Sequence, residues 1–282
     1  MNVADALAYA AATLEAAGVA ESRRETSSLL TFVLARPGSF LFAHPEYELT
    51  ADEESRFSEA LGRRAKREPF QYITGKQEFY RLDFEVAPGV LIPRPETEIL
   101  VEAAIQVLAS LDRPQFLEIG VGSGCISISI FNSVPNSSAI GIDISPAAIA
   151  IAERNAEKHG VNERFEIREG NIYAGIDAKF DLIVSNPPYI PDSDIDELQP
   201  EVRDFEPHSA LAGGISGLDL VSQIVSSAPK YLQPAGSLLM EIGFGQSEAV
   251  RELFPAHVWT SVEFLPDLQG IPRIVAAKLS PP

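Results

Sequence analysis

The residues whose types and order suggest chemistry fall in two short runs. Glu118-Ile119-Gly120-Val121-Gly122-Ser123-Gly124 sets three alternating glycines after an acidic residue, and Asn186-Pro187-Pro188-Tyr189 flanks two prolines with a carboxamide and a phenol. Small residues at a strand-to-helix turn let a ligand approach the backbone, and the helix that follows offers free N–H groups. A dinucleotide fingerprint needs glycine at the sixth position from Gly120, where Cys125 stands, so the turn is of another kind. Asp143 closes the next apolar run, about 20 positions on, where a carboxylate can accept hydrogen bonds from a ribose diol. A helix-capping role for it is the weaker reading, because Ser145 directly precedes Pro146 and caps better. In the tetrapeptide the prolines fix φ and remove two N–H donors, which gives a stiff loop with outward carbonyls. It follows FDLIVS, at the strand end where ligands bind in open parallel sheets.

Composition excludes several classes of function. The chain has 282 residues, with 22 Lys+Arg against 40 Asp+Glu and a formal net charge of −18, unsuited to non-specific nucleic-acid affinity. With 45% hydrophobic and 22% charged residues it is an ordinary globular sequence, long enough for a large domain and a small one. A single cysteine, Cys125, cannot form an intrachain disulfide, which suits a reducing compartment. The Ala-rich start lacks a basic n-region and carries Asp5 and Glu15, and no run approaches the ~20 apolar residues of a membrane span. The expectation is a soluble, cytoplasmic protein. Metal chemistry is not expected, since His44, His159, His208 and His257 lack ligand spacing. Asp192, Asp194 and Asp196 mimic the start of a calcium loop, but Glu197 and Arg203 occupy the positions that require Gly and Glu. The basic run Arg63, Arg64, Lys66, Arg67 reads as a solvated helix face.

The elements that must position these residues follow from periodicity. Residues 1 to about 70 read as short helices, with Val3, Leu7, Ala11 and Leu14 and then Leu29, Leu30, Val33 and Leu34 at helical spacing. Thr50 with Glu53 forms a capping-box signature. EFYRLDFEV (78–86) alternates as β structure, and Pro95 is placed to be the first residue of a helix bearing Ile99, Leu100, Ala103, Ala104, Val107 and Leu108. From Gln115 onward, QFLEIG, SSAIGID, RFEIREG, FDLIVSN and SLLMEIG read as strands separated by helices, and the tail suggests a closing hairpin. Near-continuous apolar strands alternating with helices predict a parallel sheet covered on both faces, with an antiparallel edge.

The glycine turn resembles the cofactor loop of S-adenosylmethionine-dependent methyltransferases. The tetrapeptide resembles that of methyltransferases acting on planar nitrogens. A planar amide nitrogen delocalises its lone pair into the carbonyl and is a poor nucleophile. Asn186 Oδ1 and the Pro187 carbonyl could accept its two protons and aim it at the methyl group, and such positioning is a large source of rate. Tyr189 could stack on the planar group or lie near the sulfonium, an attraction of about 0.5–2 kcal/mol. The methylated amide loses its proton to water, so no histidine base is needed.

REPFQYITG (67–75), EFYRLDFEV (78–86), LIPRPETEILVE (91–102), EIGVGSG (118–124), GID (141–143), SNPPYI (185–190), VRDFEPHSAL (202–211) and DLQGIPRIV (267–275) together resemble the release-factor glutamine N5-methyltransferase family, also called the HemK or PrmC family. The resemblance implies an α/β protein with a five-helix N-terminal domain (1–73), a β-hairpin linker (74–93) and a seven-stranded, Rossmann-like methyltransferase domain (94–282). It also implies methylation of the Gln in the Gly-Gly-Gln motif of class 1 peptide-chain release factors, with the helical domain docking the substrate and no DNA or membrane partner. By the same resemblance Gly120, Val121, Gly122, Ser123, Gly124, Asp143, Asn171, Ile172 and Asn186 hold S-adenosylmethionine. Asn186, Pro187, Pro188 and Tyr189 hold the substrate Gln, with Asn186, Pro187 and Tyr189 in the chemistry. Relatives usually carry Asp where Asn171 sits and an aromatic or other apolar residue at Ile172, beside the adenine. A ribosomal-protein glutamine methyltransferase, a DNA adenine N6-methyltransferase and a non-catalytic translation-factor binder with a degenerate fold are the alternatives.

Overall fold

The computed structural model describes residues 1–281, which divide into two compact units. The smaller unit holds Met1–Gly75 together with a later excursion of the chain, Gln199–Phe205; the larger unit holds the remaining described residues.

The smaller unit contains helices α1 (Val3–Ala16), α2 (Ser22–Leu34), α3 (Gly38–Ala43), α4 (Ala51–Ala65) and α5 (Phe70–Thr74). Leu29, Leu30, Val33 and Leu34 are buried, as their spacing predicts. On α1 the buried stripe is Val3, Ala6, Ala10 and Leu14, with Leu7 only partly covered, so the small alanines face inward. The capping box forms: the Thr50 side chain accepts from the Glu53 N–H, and the Glu53 carboxylate accepts from the Thr50 N–H.

In the basic run only Lys66 is solvated as expected; its three arginines are paired with carboxylates. Arg64 is 4% exposed and forks between the carboxylates of Glu25 and Glu201, while Arg67 also holds Glu201 and Arg63 holds Glu68. Glu201 lies 137 positions after Arg64, so no local pattern announces the pairing. Burial alone would raise the Glu201 carboxyl. Hydrogen bonds from Arg67, from its own backbone N–H and from Arg64 outweigh that and hold it at about 2, below its ordinary 4.5. A folded-state pKa lowered in this way gives stability that is present above 4.5 and lost as pH falls toward 2. Glu201→Gln is therefore expected to destabilise the full chain by about 1–3 kcal/mol at neutral pH, the cost of charged hydrogen bonds lost. Unfolding curves taken at falling pH should show that deficit narrowing below 4.5; a deficit independent of pH would show that the carboxylate charge is not what stabilises this cluster.

The larger unit opens with the hairpin β1 (Lys76–Phe79) and β2 (Leu82–Glu85), paired antiparallel across Tyr80 and Arg81, both at positive φ. Helix α6 (Thr97–Leu108) starts two residues after Pro95, not at it; Pro95 and Glu96 form the turn before it, and their carbonyls accept from Glu98 N and Ile99 N of its first turn. There follow β3 (Gln115–Ile119), α7 (Cys125–Ser133), β4 (Ser138–Asp143), α8 (Pro146–Lys158), β5 (Phe165–Glu169) and β6 (Phe180–Ser185); after α9 (Pro200–Arg203), which belongs to the smaller unit, come α10 (Asp219–Ser227), β7 (Leu232–Glu241), α11 (Ser247–Glu252), β8 (Trp259–Pro266) and β9 (Pro272–Leu279).

The seven-stranded sheet has the order β5-β4-β3-β6-β7-β9-β8. Strands β3 to β7 run parallel, and β9 pairs antiparallel with both β7 and β8, which is the expected antiparallel edge. Successive strand residues alternate between two cores. Phe116, Leu182, Val184 and Leu239 pack with Leu100, Ala104 and Phe131 of α6 and α7. Leu117, Ile183, Leu238 and Met240 pack with Val221, Ile224 and Val250 of α10 and α11. Asn155 of α8 is fully buried and accepts from Glu85 N while its Nδ2 donates to the Glu85 and Ser123 carbonyls, tying the hairpin to the glycine turn.

Candidate active site

The strand order reverses around β3: β4 lies on one side of it and β6 on the other, which opens a crevice at their C-terminal ends. Ile119 pairs with Ser185, the last residues of β3 and β6, and Ser185 Oγ donates to the Ile119 carbonyl at 2.7 Å. The two candidate runs therefore begin as neighbours. The turn after β3 needs glycine, because Gly120, Gly122 and Gly124 have φ of 76°, 57° and 79°. Its N–H groups are ordered by β4: Gly120 and Val121 donate to the Ile142 carbonyl, and Gly122 donates to Asp143 Oδ2 at 2.9 Å. Asp143 Oδ1 accepts from Ser145 N at 2.9 Å, while Ser145 caps α8.

A cavity of about 390 Å³ occupies the crevice. Its lining includes Gly120, Val121, Gly122, Ser123, Asp143, Asn171, Ile172, Asn186 and Pro188. Gly124, Pro187 and Tyr189 are not on its wall. Ile172, a β-branched residue, takes the left-handed region with φ 54°, a strained conformation that holds the Asn171–Ile172 turn at the cavity edge.

Asn186 Nδ2 donates to Thr97 Oγ1 at 3.1 Å, and Thr97 Oγ1 donates to Glu241 Oε2 at 2.6 Å. At the other end of the tetrapeptide the Tyr189 hydroxyl donates to Glu241 Oε1 at 3.1 Å, and the Tyr189 carbonyl accepts from Gln246 Nε2. The phenol thus turns to a buried carboxylate. A Cβ at Gly217 (φ +72°) would collide with the Tyr189 carbonyl, so glycine is required for this close approach. Burial pushes the Glu241 carboxyl up, against the lowering effect of its bonds from Thr97 and Tyr189; burial and the Glu241 charge push the Tyr189 hydroxyl up as well.

Sequence reasoning gave no role to four residues here. Thr97 and Arg94 sit within LIPRPETE, and Glu206 within RDFEPHSAL; the Arg94–Glu206 ion pair joins these two segments beside the cavity, which Arg94 and Pro207 help line. Glu241 is legible only as a carboxylate ending an apolar strand, a type almost never fully buried without a partner.

Glu118, the acidic residue before the turn, is fully buried. Its Oε2 accepts from Ser127 N and Ser127 Oγ, and its Oε1 has no partner. Burial, opposed by the Ser127 bonds and helped by the Asp143 charge, pushes its carboxyl up to about 8.

The comparisons with known proteins agree with this geometry. Residues 5–75 match the family described as the PrmC N-terminal domain, and residues 96–199 match the methyltransferase small domain. The chain is 42% identical over 280 residues to the release factor glutamine methyltransferase of Koribacter versatilis, covering 99% of both chains. It is 44% identical over 263 residues to that of Geobacter sulfurreducens, covering 93% of this chain and 91% of the relative. Among solved structures, a Pyrococcus furiosus methyltransferase superposes with a TM-score of 0.51 at 16% identity, covering 82% of this chain and 100% of the other. The hMettl16 catalytic domain superposes with a TM-score of 0.58 at 15% identity, covering 81% of each; both likenesses concern the fold alone. Sheet order and crevice together define a methyltransferase of the type that draws on an S-adenosylmethionine-like donor. At this identity over nearly the whole length, the chain belongs to the release factor glutamine methyltransferase family.

A buried carboxyl with a raised pKa makes stability pH-dependent in a defined sense. The unfolded group titrates near 4.5 and the folded one near 8, so Glu118 contributes stability that is full below 4.5 and gone once pH passes 8. Glu118→Gln cannot ionise. Its stability relative to the unaltered protein should rise between these two pH values and stay level outside them, as followed by denaturant unfolding. A difference flat across the whole range would mean that Glu118 is ionised in the fold.

Proposed function

We propose that this protein transfers a methyl group from S-adenosylmethionine to the side-chain nitrogen of the glutamine in the Gly-Gly-Gln motif of class 1 release factors. The observation that carries this reading is the Asn186 carboxamide on the cavity wall, with its nitrogen committed to Thr97 and its Oδ1 left as an acceptor. A substrate amide offers two N–H protons. Asn186 Oδ1 takes one, which turns the nitrogen's face toward the donor; the Pro187 carbonyl takes the other only if the amide reaches past the wall, which Pro187 does not line. Pro188 closes the wall beside it. Tyr189 acts from behind, anchoring the loop instead of stacking on substrate. Such a crevice suits a side chain carried on a loop tip, and flanking glycines leave that loop free to enter.

The residues fit the donor. It is a cation, and Glu118 keeps a buried carboxylate oxygen without a partner directly before Ile119 and Gly120, which line the cavity. Gly120, Val121, Gly122 and Ser123 bring backbone to within reach of it while Gly124, behind the wall, caps α7; Asp143 accepts from its ribose, and Asn171 and Ile172 flank its adenine. The bound donor supplies an electrophilic methyl group on a sulfonium. Residues 1–73 serve as the substrate-docking domain, 74–93 as the hairpin linker and 94–282 as the catalytic domain. The place of action is the cytoplasm, with the translation machinery. A net charge of −18 disfavours a DNA substrate.

Two measurements test this reading. Asp143→Ala should weaken binding of the methyl donor by about 1–3 kcal/mol in calorimetry, the cost of a lost charged hydrogen-bond partner; unchanged affinity would remove Asp143 from the ribose site. Asn186→Ala should slow single-turnover methyl transfer to a release factor by about 10- to 100-fold with little change in donor affinity, and Asn186→Asp, which keeps an acceptor, should be slowed less. A release factor, a ribosomal protein and DNA offered side by side with labelled donor decide the substrate. Label on the ribosomal protein or DNA in preference to the release factor, or a wild-type rate for Asn186→Ala, overturns the assignment.

A further inference from the structure

Glu241 and Tyr189 lie outside the cavity lining, yet Glu241 contacts both polar ends of the tetrapeptide, Tyr189 directly and Asn186 through Thr97. Placement follows from the sheet. Ser185 pairs with Met240, so the residues that follow them, Asn186 and Glu241, leave neighbouring strands side by side. Thr97, the first residue of α6 and 2% exposed, stands between the two side chains.

The bonding has a direction. A threonine hydroxyl has one proton. Given to the Glu241 carboxylate, that proton leaves Thr97 Oγ1 as an acceptor toward Asn186. Asn186 can meet an acceptor only with its NH₂ group. The carboxamide is thereby held in one of its two flipped orientations, with Oδ1 pointing away from Thr97. In the opposite orientation two oxygens with no proton between them would face each other in a buried space, at a cost comparable to an unmade hydrogen bond. The second carboxylate oxygen is taken by Tyr189, so the carboxylate fixes both the amide flip and the loop that carries it. Packing alone would not call for this residue. A buried carboxylate is expensive to desolvate, and an apolar side chain of similar volume would fill the space at lower cost.

We propose that Glu241 is a positioning residue for methyl transfer, acting through Thr97 to set the orientation of the Asn186 carboxamide and through Tyr189 to hold the tetrapeptide against it. This rests on the reading of Asn186 as the acceptor for the substrate amide. The chain of action predicts which substitutions are silent in which backgrounds. Thr97→Val keeps the shape and removes the hydroxyl; Thr97→Ser keeps the hydroxyl.

The experiment measures single-turnover methyl transfer to a release factor, donor affinity by calorimetry and thermal stability for full-length Thr97→Val, Thr97→Ser, Glu241→Gln, Asn186→Ala and the Thr97→Val/Asn186→Ala double variant. Expected are a rate loss of about 10- to 100-fold for Thr97→Val and for Glu241→Gln, donor affinity within about twofold, and a rate close to wild type for Thr97→Ser. In the Asn186→Ala background, Thr97→Val should cost almost nothing more, because its effect passes through that side chain. Thr97→Ala takes the place of valine should the latter not fold. If Thr97→Val transfers methyl at the wild-type rate, or costs as much without Asn186 as with it, the positioning role is overturned while the acceptor role of Asn186 stands. If Asn186→Ala itself is fast, the acceptor role fails instead. Equal losses in Thr97→Ser and Thr97→Val that track thermal stability would assign the network to packing and also overturn the proposal.

Discussion

Everything in the larger unit is organised by the pairing of β3 with β6. Because Ile119 faces Ser185, the glycine turn and the tetrapeptide leave the sheet as neighbours although they are far apart in sequence. Parallel strands must be joined by crossovers on the sheet faces, and right-handed crossovers from a central strand place successive helices on opposite faces according to the direction of travel. The chain first moves outward to β4 and β5, then returns to β6 beyond β3, and this reversal makes the crevice. The glycine turn can be short and bare because β4 orders it from one side, through the Ile142 carbonyl and Asp143. The tetrapeptide can be rigid because β7 orders it from the other, through Glu241. Each half of the site is thus fixed by the strand outside it.

Much of this was legible in the sequence, for a physical reason. Strand periodicity, helix caps and proline positions are local properties, and Thr50, Ser145 and the alternating strands behave as their spacing predicts. The glycines and the tetrapeptide were legible because few residue types can take those backbone conformations. What could not be read were long-range polar pairings. Arg64 and Arg67 look like any basic helix face until Glu201 returns to them. Arg94 and Glu206, or Thr97 and Glu241, have no local signature either, since a carboxylate in sequence carries no mark of what it will face when buried. The stripe on α1 was misplaced by about one position because alanine and leucine count alike in a pattern but not in a close helix contact.

The excursion Gln199–Phe205 shows a second use of such pairings. It leaves the larger unit soon after the tetrapeptide and is held within the helical unit by Arg64 and Arg67, then Glu206 returns to pair with Arg94. Ion pairs of the same polarity, glutamate from this stretch and arginine from elsewhere, therefore hold it within one unit and fix its return to the other. Their partially buried setting makes them stronger than surface bridges and more costly to leave half-made. A segment with little apolar side chain of its own is kept in place by charge where it has no core to bury.

The two buried carboxylates of the larger unit show how surroundings divide one side-chain type into two tasks. Glu241 has a hydroxyl on each oxygen, so both oxygens are hydrogen-bonded by donors that belong to the fold, although burial still pushes its carboxyl up. Glu118 has both its protein donors on one oxygen and none on the other, beside a turn that opens to the cavity. Burial pushes this carboxyl toward protonation, up to about 8, and the Ser127 bonds to one oxygen only partly oppose it. The same imbalance favours a positive ligand, because a cation arriving nearby would relieve the cost that the fold leaves uncompensated. A saturated carboxylate holds geometry; an unsaturated one attracts charge.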